Sequence, residues 1–131
     1  MGWKIYMENK FNEIRNDSLN QAVIEMVIES WRFSKVFERM IAKLDVSERG
    51  KYLSQYKWFI KKVESSLAGA GMHIVNVEGQ LFDAGMAASP LNLDEFDDND
   101  CLIVDNMLEP IIMGHEGLVK TGTVTLKKVS L

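Results

Sequence analysis

Between Leu19 and Leu44 the apolar residues fall in alternating steps of four and three: Leu19, Val23, Met26, Phe33, Phe37, Met40 and Leu44, with Ser30 the one polar member. That is the spacing of a heptad seam on an α-helix. Asp17 and Ser18, with Gln21 three residues after Ser18, mark a start for it in capping-box spacing. Trp3, Met7, Phe11 and Ile14 follow helical spacing too, but their register slips against the later seam across residues 16–18, which allows a stutter, a kink or a break. A second seam, Leu53, Tyr56, Ile60, Val63 and Leu67, follows Asp45, a candidate N-cap with Glu48 at the third position. Gly69 and Gly71 close it, because glycine accepts the left-handed conformation that ends helices. The pattern predicts a helix, a turn over residues 45–50 and a second helix returning antiparallel.

Both helices carry apolar residues outside their seams: Ile24, Ile28, Trp31, Val36 and Ile41 on the first, Tyr52 and Phe59 on the second. A two-helix hairpin buries one face of each helix and leaves such flanks wet. Two arrangements would cover them: a second copy of the chain, giving a dimeric four-helix bundle, or the remainder of the same chain. The bundle is the preferred expectation.

Beyond Gly71 the period changes to two, with His73, Val75 and Val77 on one face and Met72, Ile74 and Asn76 on the other. Glu78 and Gly79 supply a turn. Residues 101–105 and 107–113 read as strands, with Pro110 confined to an edge or bulge because it lacks a ladder donor. Residues 114–117, GHEG, form a turn, and residues 118–129 a final strand region in which Gly122 marks a bulge or crossing point. The expected fold is α+β: a helical stalk and bundle-forming hairpin over residues 1–71, then a small antiparallel β domain or partly closed barrel over residues 72–131.

Composition narrows the chemistry. Fifteen basic against nineteen acidic residues give a formal charge of −4, which argues against nucleic acid as the main partner. No stretch is apolar for the ~20 residues of a membrane span, and the first residues match neither a secretory signal nor a myristoylation pattern, so a cytoplasmic location is expected. Cys101, beside Leu102, Ile103 and Val104, reads as a buried strand cysteine. The acidic run DEFDDND offers no phase with both the glycine and the final carboxylate of a calcium loop, so it reads as a solvated loop. His73 and His115 have no metal-ligand spacing around them, residues 69–71 precede a strand where a dinucleotide loop would open a helix, and no nucleophile elbow is present. Neither an enzyme nor a cofactor is expected.

The stretch GAGMHIVNVEGQLFDAG places in order a helix ending in glycine, a strand, a turn and a Phe-Asp pair, Phe82-Asp83. That order resembles the corresponding junction of the GrpE family, nucleotide exchange factors of DnaK-type chaperones. LVKTGTVTLKKV resembles the family's last strand, residues 33–45 the end of its long helix, and residues 52–67 its short bundle helix. The likeness covers roughly residues 19–129. It departs from the family after Asp83, where Ala84-Gly85 stands in place of a proline and a His-Glu-Ala run, and at the last hairpin, where His115 and Glu116 replace a basic residue. The resemblance implies a cytoplasmic homodimer that binds the ATPase domain of a DnaK-type chaperone and promotes ADP release. It implies contact residues Met107, Leu108, Pro110, Ile112, His115, Glu116, Leu118 and Lys120, and a role for Phe82 and Asp83 in fixing the sheet to the helices. The alternative expectation is an oligomeric helical-bundle scaffold whose β domain binds protein without exchange activity.

Overall fold

In the computed structural model, which describes residues 2–129, the first helix, α1, runs unbroken from Gly2 to Ile41. Forty residues make it about 60 Å long. The cap signal at residues 17–18 therefore starts nothing: a cap favours a helix start by only about 1 kcal/mol, and the residues on both sides propagate the helix. A turn leads to α2, Val46–Gly69, with Asp45 as N-cap in extended conformation. The Asp45 side chain makes no cap bond; its carbonyl accepts from the Glu48 and Arg49 amides instead.

The end of α2 is fixed more tightly. Gly71 adopts φ +76°, the Met72 amide donates to the Leu67 carbonyl and the Gly71 amide to that of Ala68. This is the Schellman pairing, and Leu67 and Met72 complete it as apolar partners in one buried cluster. Glycine at this point turns the chain from helix into strand.

Six strands follow: β1 His73–Val75, β2 Ala88–Pro90, β3 Leu102–Glu109, β4 Ile111–Gly114, β5 Gly117–Lys120 and β6 Gly122–Lys128. They form two three-stranded sheets, in the orders β1-β4-β5 and β2-β6-β3. β2 runs parallel to β6, so the β region is mixed rather than wholly antiparallel. Residues 88–90, to which periodicity assigned no strand, supply that extra strand, and Asn92 extends it: its side-chain amide donates to the Leu126 carbonyl while its oxygen accepts the Leu126 amide. Pro110 is buried between β3 and β4, where the missing amide divides one apolar run into strands of two different sheets. Cys101 is exposed, because alternation along β3 turns Leu102 and Val104 inward and leaves the residue before them outside.

Two apolar clusters hold the helices to the sheets. Trp31 of α1 packs with Val77, Leu102, Val104, Met107, Ile111, Val124 and Leu126. Ile24 and Val27 pack with Leu67, Met72 and Ile112. The rest of the same chain thus covers Ile24 and Trp31, and Ile41 is buried as well, which corrects the expectation that a second copy shelters these three; Val36 stays exposed. The second seam behaves as predicted: Leu67 is buried and Leu53, Tyr56, Ile60 and Val63 are half-buried. The first seam does not. Leu19, Met26, Phe33 and Met40 lie bare at 58–70% exposure, while Val23, Phe37 and Leu44 are half-buried.

Candidate interaction surface

The β region is mounted on α1 through a network centred on Met107. β3 shifts register on both sides of this residue, and side chains take up both of its backbone polar groups. The Trp31 indole N–H donates to the Met107 carbonyl at 2.6 Å, and the Met107 amide donates to Glu78 Oε2 at 3.1 Å. Lys35, one turn beyond Trp31, donates to both Glu78 oxygens at 2.7 and 2.8 Å, and its Nζ lies 5.0 Å from the centre of the Trp31 ring. A helix, a turn and a bulged strand are locked together with their polar groups satisfied. Lys35 did not stand out in the sequence, and Glu78 stood out only as part of a turn. Their separation of 43 residues hides the pair, and the only available signal was a lysine on the stripe that holds Trp31.

Around this mount, the residues expected to contact a partner divide into two groups. Met107 and Ile112 have no exposed surface and Pro110 is buried with them, so these three belong to the core and leave the candidate surface. The inward phase of two differently directed strands explains it: bulges around Met107 and the break at Pro110 turn all three toward the helices. His115, Glu116 and Leu118 are exposed on the β4–β5 hairpin. Lys120 is half-buried, with its Nζ donating to the Thr121 carbonyl at 2.8 Å and pairing with Glu109 at 3.5 Å. The other oxygen of Glu109 lies 3.8 Å from Arg32 of α1, so one carboxylate is bracketed by cations from helix and sheet. Leu108 lines a groove beside this pair with Arg32, Val36, Arg39, Leu91 and Thr123.

The hairpin is also tied to the helix end. A side chain at Gly71 would meet His115 Nε2 at 3.0 Å, so the imidazole packs over the bare backbone of the Schellman turn. Val119, exposed beside Leu118, was not anticipated. Both lie on β5, which closes its sheet on one side and, among the described residues, carries no strand partner on the other. Phe82 packs at the rim of the Trp31 cluster, its amide donating to the Leu102 carbonyl, and Asp83 accepts the Gly85 amide at 3.0 Å, closing the turn as expected.

Burial raises the Tyr56 phenol well above its ordinary range, helped by Glu38, whose carboxylate accepts the phenol hydroxyl at 2.5 Å. The Asp97 amide and then Lys128 lower the carboxyl of Asp100, which closes the acidic loop. Among the described residues no group of three or more His, Cys, Asp or Glu is placed to hold a metal ion, and no helix is long and apolar enough to cross a membrane. An exposed hairpin and the edge strand β5 are thus held on a helical mount. Comparison with models of protein families, with curated proteins and with solved structures gave no match.

Proposed function

We propose that this chain is a GrpE-like co-chaperone: a homodimer that grips the ATPase domain of a DnaK-type chaperone and speeds release of ADP. The observation that carries the reading is the bare heptad column Leu19, Met26, Phe33 and Met40, on a long helix to which a small β region is rigidly mounted. Each of these side chains contributes about 1.5 to 3 kcal/mol when fully buried, and two such columns meet as a parallel seam. The stalk supports the same conclusion, since every residue over 2–22 except Met7 is exposed, and helices in proteins draw most of their stability from packing an apolar face. The order of helix, Schellman glycine, strand, Phe-Asp turn and final hairpin supports the family likeness.

In this reading the dimer holds its β regions at one end of the stalk, and Leu108, His115, Glu116, Leu118 and Lys120 meet one lobe of the ATPase. Exchange follows from preferring the open nucleotide cleft to the closed one, because a ligand shifts an equilibrium only by its differential affinity for the two states. A thousandfold faster release needs about 4 kcal/mol off the exit barrier, within reach of a few well-packed contacts. Bound nucleotide must weaken the grip to the same extent. The test is release of a fluorescent ADP from each DnaK-type ATPase of the source organism. Acceleration by one of them is expected; none at micromolar protein overturns the exchange reading and, if the dimer persists, leaves the scaffold.

A further inference from the structure

Charge is divided unevenly along this molecule. Residues 72–131 carry ten acidic and three basic residues, a formal −7, whereas α2 carries five basic and two acidic, a formal +3. Four of the five cations of α2, all lysines, lie off its seam, while Arg49 donates to the Leu44 carbonyl in the turn. Helical spacing stacks Lys51, Trp58 and Lys62 in one row opposite Tyr56 and Ile60, with Lys61 beside them and Lys57 on the flank. All five side chains are exposed, Trp58 at 60%. Lys62 Nζ lies 5.7 Å from the indole ring centre, and no carboxylate of the described residues pairs with any of the four lysines.

From this we infer that the outer face of α2 is a docking site for an acidic protein segment carrying an aromatic residue, which stacks on Trp58 while its carboxylates meet the surrounding lysines. Charge complementarity selects the occupant. Tryptophan is among the residues that most often anchor interfaces. From Lys51 to Lys62 the row is about 17 Å long at ~1.5 Å per residue, which about five residues of extended chain cover at ~3.3 Å each. Such a short ligand stays clear of the acidic sheets.

Two other polyanions fit less well. A nucleic acid extends past the row into the field of a β region at −7, and one indole gives no track on which successive bases stack. A membrane surface requires a free apolar stripe, but the stripe of α2 faces α1 and the sheets. The inference is independent of the exchange reading, since the face is not among the residues assigned to the ATPase.

The probe is a labelled synthetic peptide of Asp and Glu around one central Phe, followed by fluorescence anisotropy with the full chain. Saturable binding is expected, weakened at least tenfold by Lys57→Glu, Lys61→Glu and Lys62→Glu combined, and about tenfold by Trp58→Ala. Replacing the Phe of the peptide by Ala is expected to weaken binding as Trp58→Ala does, and added salt to weaken it further. Absence of binding, equal affinity for the Phe and Ala peptides, or tighter binding of a single-stranded oligonucleotide or an anionic vesicle overturns the inference. Should the charge-reversed chain fail to fold, the two peptides on the unaltered protein decide the matter alone.

Discussion

Single residues carry sharp consequences where backbone passes close to backbone. A side chain at Gly122 would meet Ile111 Cγ1 at 2.7 Å, the Glu109 carbonyl at 3.0 Å and the Ile111 amide at 3.2 Å. Gly122→Ala is therefore expected to destabilise the protein by about 1 to 3 kcal/mol, read as a lower melting temperature, because the obstacles include main chain that cannot swing aside. The sequence made this glycine legible as a crossing point but could not show what it crosses. Lys35 and Glu78 form the second test. Lys35→Met and Glu78→Gln each remove half of a largely buried pair, and a double-mutant cycle in denaturant is expected to show coupling of about 1 to 3 kcal/mol. For Tyr56 the sign is fixed by its raised pKa: the stabilisation is complete below about pH 10, the ordinary tyrosine value, and is lost as pH rises through the higher folded value. Alkaline spectrophotometric titration is expected to show one late phenol, which Glu38→Gln brings forward.

At the scale of elements, the helices and most strands could be read from periodicity, but not the side each helix turns inward. Apolar residues nearly encircle α1 over residues 19–41: one column contains Leu19, Met26, Phe33 and Met40, another Ile24, Val27 and Trp31. Both have helical spacing. The choice between them rests on which stripe the sheets cover, and that depends on partners such as Met72, Val77 and Val124, more than thirty residues away. The Trp31 stripe prevails because its indole N–H finds the bulged Met107 carbonyl, a polar match invisible in a hydropathy pattern. The column left outside is the predicted dimer seam. Met26→Glu with Phe33→Glu is expected to give monomers near the chain mass of 14.9 kDa by light scattering, with the β region still folded. A change in the β-region melting transition, or an unaltered mass, would count against that assignment.

For the whole molecule, the exposure of the candidate surface was legible for some of its residues and not for others. The last hairpin stands out in sequence through its Gly-His-Glu-Gly turn, yet three of the eight residues expected there are buried in the core, and Val119, not among the eight, is exposed. Strand alternation fails as a guide because bulges and Pro110 reset the inward phase within a few residues. Leu118→Asp, on an exposed site, is expected to leave melting unchanged and to reduce ADP-release acceleration at least tenfold, the loss of one well-packed contact. The chain also carries its own optical gauge. Of three indoles, Trp3 and Trp58 face water and Trp31 is sealed between helix and sheet, so a collisional quencher should extinguish two emissions and spare the third. Whatever prises the strands from the long helix will expose that last chromophore first, and its colour will shift toward the red before any secondary structure melts.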